Sequence, residues 1–131
     1  MDYLKRINQL REKLPSFGCD ALLIEKEFDI YYLTGLRMSA GTLVIHTQGG
    51  FLLVDSRYLQ ICERDSPLPV VEADKSHLSV PLSSPENSFI RRLGFDSEAV
   101  SYKRFQKLQQ LSTNPQLIPL ESPVKWQRMI K

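Results

Sequence analysis

Cysteine, histidine and long apolar runs are scarce in this 131-residue chain, and each scarcity narrows what it does. Two cysteines, Cys19 and Cys62, are too few for the dense disulfide framework of a small secreted domain. Their apolar neighbours read as burial, and two buried, reduced thiols point to the cytoplasm. The two histidines, His46 and His77, stand in no close Cys or His pair of the kind structural zinc sites use, and His-Glu-x-x-His does not occur. His46, between apolar residues, reads as a structural histidine, and His77, in a Ser-rich stretch, as a solvated one. No run approaches the roughly 20 apolar residues of a membrane span. The opening MDYLKRINQL carries charges every few residues where a signal peptide would be apolar. Charge of one sign is also lacking: 17 Lys and Arg against 15 Asp and Glu leave +2. Neither nucleic acid nor a membrane is therefore expected as a partner. A Gly-x-Ser-x-Gly elbow is missing. Ser39-Ala40-Gly41 lacks the lysine of a phosphate-cradling loop and reads as a tight turn into the strand at Leu43.

What is present is a core and an alternation. Hydrophobic residues make up 42%, which excludes disorder, in a length that suits one domain. Leu4, Ile7, Leu10, Leu14 and Phe17 form one stripe of an amphipathic helix. Pro15 kinks or stops it, and Gly18 caps it. Ala21-Leu22-Leu23-Ile24 reads as a strand buried on both faces, and Phe28 to Leu33 as a short helix closed by Thr34-Gly35. Leu43-Val44-Ile45 and Phe51-Leu52-Leu53-Val54 flank Gly49-Gly50, a hairpin signal that makes the sheet mixed. Asp55-Ser56 then offers an N-cap to a helix that carries Tyr58, Ile61 and Cys62 inward and ends at Pro67 and Pro69. Val70-Val71 suits a short strand. Ala73 to Ser88 reads as a surface loop. Ser84-Pro85-Glu86 reads as the start of a helix through Phe89 and Ile90. Leu93-Gly94-Phe95 is a strand, and Ser101 caps a helix with Phe105, Leu108 and Leu111 inside. Asn114-Pro115 turns into a last strand, Leu117-Ile118, and a helix begins at Val124. The alternation implies an α/β domain, a mixed sheet with helices packed on it.

Two segments carry more chemistry than the rest. Tyr31-Tyr32-Leu33-Thr34-Gly35 sets two tyrosines at a helix end, an anchored and partly polar packing site. Asp55-Ser56-Arg57-Tyr58 combines a capping carboxylate with an arginine able to pair with a carboxylate. Asp20, Asp29, Asp55 and Asp96 all fall at element ends, where capping and turn roles account for them.

Read in order, these pieces resemble the creatinase/prolidase N-terminal domain, the front half of aminopeptidase P and Xaa-Pro dipeptidase proteins. Gly18-Cys19-Asp20-Ala21-Leu22-Leu23 after the first helix resembles the family's entry strand. Asp29-Ile30-Tyr31-Tyr32-Leu33-Thr34-Gly35 resembles its Asn-Ile-x-Tyr-Leu-Thr-Gly, with Asp29 in place of Asn. Asp55-Ser56-Arg57-Tyr58 resembles its Asp-Gly-Arg-Tyr, with Ser56 in place of Gly. Leu93-Gly94-Phe95-Asp96 resembles its Ile-Gly-Phe-Asp strand, and residues 124–131 resemble the linker ending in Arg-x-Ile-Lys.

The resemblance implies a ribonuclease H-like α/β fold with about five to six strands and helices on both faces of the sheet. It implies a domain over residues 1–123 and, over 124–131, the start of a linker or helix toward a C-terminal catalytic domain beyond this sequence. That domain would be a hydrolase of bonds beside proline, an Xaa-Pro aminopeptidase or dipeptidase with two divalent metals, commonly manganese. No catalytic residue and no metal ligand is expected in this chain. Its expected partners are that domain, a second copy of itself in a homo-oligomer such as a dimer, and proline-containing peptides. The loop from Gly35 to Gly41, with Tyr32 and Arg37, is the candidate rim of the substrate site, and Asp55, Arg57 and Tyr58 a structural motif. The alternative is a pseudoenzyme scaffold of the same fold that holds partners.

Overall fold

A computed structural model describes residues 2–73 and 77–129. The chain begins with helix α1 (Tyr3–Glu12) and the short α2 (Leu14–Phe17). Pro15 breaks the pair apart, and Gly18 (φ +74°) ends α2 in the left-handed conformation that glycine adopts without penalty. Strand β1 (Ala21–Ile24) follows, then α3 (Glu27–Thr34), β2 (Thr42–His46), β3 (Gly49–Val54), α4 (Ser56–Asp65) and β4 (Val70–Glu72). The last third holds α5 (Ser79–Leu82), a 3-10 turn (Pro85–Asn87), β5 (Arg92–Asp96), α6 (Tyr102–Leu108), β6 (Gln116–Leu120) and α7 (Lys125–Met129).

The six strands form one mixed sheet in the order β4-β3-β2-β1-β5-β6. β2 pairs antiparallel with both β1 and β3, while the β1–β5, β5–β6 and β3–β4 pairs are parallel. β1 is buried at all four positions, as its unbroken apolar run requires of a central strand covered on both sides. Its alternate residues feed different cores. Leu22 and Ile24 join the side chains of α1, α2, α3 and α4, among them Ile7, Leu10, Leu14, Ile30, Leu33 and Cys62. Ala21 and Leu23 face the other layer, with Leu78 and Leu82 around α5 and Leu108 and Leu111 from the α6 region. Helices therefore cover both faces, as expected from the resemblance.

Several local expectations need correction. Leu4 and Ile61 are 50% and 46% exposed. At 100° per residue, Leu4 lies about a quarter turn off the Ile7–Leu10–Leu14 stripe, and Ile61 as far off the Tyr58–Leu59–Cys62 arc. The glycine pair does not form the hairpin turn. His46 faces Gly49 and Ile45 faces Gly50, so Thr47-Gln48 is the turn and the glycines open β3. Gly50 is needed there because a Cβ would lie 2.5 Å from the Val44 carbonyl oxygen. The stretch from 73 to 88 is more than a surface loop, although residues 74–76 lie outside the described residues. Leu78, Pro81 and Leu82 are buried, and α5 forms around them. No helix runs through Phe89 and Ile90. The Asn87 side chain is buried and donates to the Pro81 carbonyl (2.8 Å), holding a 3-10 turn from which the chain enters β5. Leu111 is buried, but beyond the end of α6.

Helix α7 is docked on the domain. Val124 and Gln127 are buried, at 1% and 5% exposure. The Gln127 amide donates to the Arg6 carbonyl (2.8 Å) and accepts from Lys13 Nζ (3.3 Å), bridging to α1 and its C-terminal end. The Tyr32 hydroxyl donates to the Gln127 carbonyl (3.4 Å). Residues 130 and 131 lie outside the described residues.

Candidate functional site

Every strand except β2 runs in one direction, so five strands share one carboxyl edge. The helices that follow β1, β3, β5 and β6 all start there, and the loop from Gly35 to Gly41 enters β2 at the same edge. α3, after β1, packs into one core and α6, after the adjacent β5, into the other. In a layered α/β sheet, that divergence opens a crevice outside the strand ends, where ligands characteristically sit. A cavity of ≈480 Å³ occupies this position.

The cavity is lined by acids and bases that are distant in sequence: Glu25, Asp29, Asp96 and Glu98 against Lys26 and Arg104. Arg104 donates in fork geometry to Glu25, Nε to Oε1 at 2.8 Å and Nη2 to Oε2 at 2.9 Å. Thr42 Oγ1 also donates to Glu25 Oε2 (2.6 Å), so this pair joins β1, β2 and α6. Asp29 is 3% exposed and faces Arg128 Nε of α7 at 3.1 Å. Burial, the leading cause, pushes the Asp29 carboxyl above its ordinary range, and Asp96 adds to the rise, against the opposing charges of Arg128 and Lys26.

Asp29 thus departs from the capping role expected of it. The other three aspartates keep theirs. Asp20 Oδ2 accepts from the N–H groups of Arg91 (3.0 Å) and Arg92 (2.8 Å). Asp96 Oδ1 accepts from Glu98 (3.0 Å) and Ser122 (3.2 Å). Asp55 caps α4 by accepting from the Arg57 N–H (2.9 Å).

Asp55, Arg57 and Tyr58 come together at this edge as one unit. The Arg57 guanidinium grips the Asp55 carboxylate (Nη2–Oδ2 2.8 Å) and holds its pKa below the ordinary range. The same guanidinium lies 5.2 Å from the centroid of the Tyr58 ring. The Tyr58 hydroxyl meets Ser39 Oγ (3.1 Å), which ties the start of α4 to the loop from Gly35 to Gly41. Tyr32 and Arg37 are placed differently from each other. Tyr32 is half-buried beneath Arg6, whose guanidinium stands 4.2 Å from its ring centroid and donates to its carbonyl (2.7 Å). Arg37 is exposed and lies over the Tyr31 ring at 4.5 Å.

His46 is a structural histidine. It is 8% exposed, its Nδ1 accepts from the Gln48 N–H (3.2 Å), and its ring meets Phe89 edge-on. His77 is exposed. Cys19 and Cys62 are buried free thiols, and Cys19 Sγ donates to the Phe17 carbonyl (3.5 Å). Among the described residues, no three His, Cys, Asp or Glu side chains converge as a metal site would require.

The cavity is not legible in the sequence because its walls lie at 23–29, 96–104 and 123–124, and the parallel pairings of β1 with β5 and of β5 with β6 are what join them. The one signal available was the placement of acids just after strands: Glu25 after β1 and Asp96 at the end of β5.

The architecture defines the class first: a mixed, six-stranded α/β domain whose loops and helix starts gather at one carboxyl edge. The model of the Creatinase/Prolidase N-terminal domain matches residues 6–130, and the chain belongs to that family. A curated relative from Bacillus subtilis (strain 168), the uncharacterized peptidase YqhT, is 25% identical over 127 residues. The match takes in 96% of this chain but 36% of YqhT, so the chain spans about a third of that relative's length. Among solved structures, the aminopeptidase P (Xaa-Pro aminopeptidase) from Streptococcus thermophilus is 29% identical with a TM-score of 0.85, over 97% of this chain and 98% of that one. The Xaa-Pro dipeptidase from Bacillus anthracis shares the fold at a TM-score of 0.89 and 20% identity, over 99% of this chain and 37% of its own.

Proposed function

We propose that this chain is the non-catalytic N-terminal domain of a metal-dependent Xaa-Pro peptidase, an aminopeptidase or a dipeptidase, and that it shapes access to the active site and supports oligomerisation. One observation carries the reading: the match runs over nearly all of this chain yet over little more than a third of the longer relatives. In this reading, residues 1–123 form the domain, and 124–131, of which helix α7 docks through Gln127 and Arg128, lead into a catalytic domain. That domain holds two divalent metals, manganese by expectation, and supplies metal-activated water. No step of the chemistry passes through the residues of this chain. Its partners are its own catalytic domain, a second copy in a homodimer, and proline-containing peptides. The two buried free thiols favour the cytoplasm.

The carboxyl edge would do the shaping. Arg37 is exposed on the loop from Gly35 to Gly41 and would meet the carboxylate of a short peptide. Tyr32 would fix the root of that loop through Arg6 and Gln127. The test is kcat/KM of the full-length parent, with Arg37→Ala, on an Xaa-Pro dipeptide and on a longer Xaa-Pro peptide. The reading expects the ratio between the two substrates to change. Equal values for wild type and variant on both substrates would remove Arg37 from the rim. A parent polypeptide without catalytic metal ligands would instead identify a pseudoenzyme scaffold.

A further inference from the structure

Another cavity, of ≈590 Å³, lies where β2 ends and β3 begins, between that turn and the segment from Val80 to Asn87. β2 runs against the other five strands, so this is the edge of the sheet opposite the loop from Gly35 to Gly41. The function proposed above makes no use of it. Phe51, Leu68, Val71 and Pro81 give it apolar walls. Among the described wall residues only Glu86 carries a formal charge, and it is exposed. Two polar wall side chains, His46 and Asn87, are instead more than nine-tenths buried, at 8% and 6% exposure.

Each of these two side chains has one polar atom committed and one open. His46 Nδ1 accepts from the Gln48 N–H (3.2 Å), so the ring proton sits on Nε2. Burial, and then the charge of Arg11, lower the pKa of the ring, which keeps it neutral at pH 7. The edge-on contact with Phe89 sets the ring plane. A Cβ on Gly49 would lie 3.4 Å from His46 Cε1 and 4.0 Å from Nε2, so this side of the ring turns toward Gly49, itself a wall residue. Asn87 Nδ2 donates to the Pro81 carbonyl (2.8 Å), which leaves its Oδ1 as an acceptor. Among the described residues, neither His46 Nε2–H nor Asn87 Oδ1 has a hydrogen-bond partner, and neither atom is sealed in the interior. An apolar cavity with a few polar groups held on packed side chains is the make-up of a small-ligand site.

We infer that this cavity binds a small neutral amide with an apolar body, its carbonyl accepting from His46 Nε2 and its N–H donating to Asn87 Oδ1. A trans secondary amide carries its acceptor and its donor on opposite sides of one rigid plane, so it can bridge the strand end at His46 and the 3-10 turn at Asn87. A carboxylate has no donor for Asn87 and would meet the charge of Glu86. An ammonium has no acceptor for His46. The volume falls in the range of small-ligand sites, and the apolar walls suit a hydrocarbon body.

The test is an NMR titration of the 131-residue protein with N-propylisovaleramide, alongside propyl isovalerate, the ester of the same shape that keeps the carbonyl and lacks the N–H. Saturable shifts of the Gln48, Gly49 and Gly50 amides and of the Asn87 side-chain amide are expected with the amide. The ester should bind about tenfold more weakly, because its oxygen leaves Asn87 Oδ1 without a donor. His46→Phe keeps an aromatic ring against Phe89 and removes the Nε2 donor; it should weaken amide binding by about tenfold as well. The Gln48 N–H that loses its acceptor in this variant belongs to an exposed turn residue, where water can replace it. The amide–ester comparison uses the unaltered chain and decides the matter even if His46→Phe does not fold. Shifts that do not saturate, equal affinity for amide and ester, or undiminished amide affinity in a folded His46→Phe would overturn the inference.

Discussion

Removal of Arg128 should destabilise the domain by an amount that pH controls. Asp29 is nearly inaccessible, with its side chain 4% exposed, and Arg128 is its ion-pair partner at 3.1 Å. Taking one member from a buried pair costs about 3–5 kcal/mol, because the survivor is left charged without water. Asp29 has an escape, which is to bind a proton. At pH 7 that costs about 1.4 kcal/mol for each pH unit above its ordinary pKa near 3.9, a ceiling of roughly 4 kcal/mol. Arg128 is itself 28% exposed, so Arg128→Ala should cost about 2–4 kcal/mol at pH 7. The sign follows from linkage. The folded-state pKa of Asp29 is already raised, chiefly by burial, and loss of Arg128 raises it further. The folded protein then holds a proton that the unfolded chain releases, so stability falls as pH rises through this range. Near pH 4 the penalty should shrink to below about 1 kcal/mol. Urea unfolding followed by far-UV circular dichroism at the two pH values measures this. Asp29→Asn in the Arg128→Ala background should recover much of the loss at pH 7. A penalty of equal size at both pH values would refute the reasoning, as would a double variant no more stable than Arg128→Ala alone.

Three further outcomes follow from particular contacts. A Cβ on Gly94 would lie 2.7 Å from Cys19 Sγ and 3.0 Å from Leu120 Cδ1. Gly94→Ala should therefore cost about 1–3 kcal/mol in urea unfolding, with partial recovery on adding Cys19→Ala; a neutral Gly94→Ala would disprove the packing. Burial, and then the charge of Arg11, lower the pKa of His46. The folded state binds fewer protons than the unfolded one, so His46 adds stability above about pH 6.5 that is lost as pH falls through its lowered pKa; His46→Gln should flatten that part of the stability–pH curve, and an unchanged slope would refute it. The Cys19 thiol is pushed up to about 11, mainly by burial. Iodoacetamide at mildly alkaline pH should modify it far more slowly in the folded protein than in urea, and equal rates would contradict its burial.

Local signals that depend on neighbouring residues were legible in the sequence. Gly18 and Gly35 end helices in left-handed conformations, Ser101 caps α6 by accepting from the Arg104 N–H, and β1 is buried on both faces. Helix phase was less legible. Leu4 and Ile61 fit a count of three or four, but the arc facing the sheet is fixed by residues on either side of them. Leu78 and Leu82 were hidden by the prolines and serines around them, because burial there is set by the opposite face of the sheet. The candidate site was legible only in parts. Asp55, Arg57 and Tyr58 are near neighbours in the chain, so their mutual contacts are readable from the sequence. Glu25 and Arg104 are 79 residues apart and meet only through the order of the strands. Asp29 read as a capping residue because its partner, Arg128, lies on the last helix.

The most direct test of the proposed function compares the full-length parent with the 131-residue chain on an Xaa-Pro dipeptide in the presence of manganese. The account predicts hydrolysis by the parent, abolished by chelation, and none by the 131-residue chain at any metal concentration. Cleavage by the 131-residue chain alone, or a folded, metal-supplied parent that leaves every Xaa-Pro peptide intact, would contradict it.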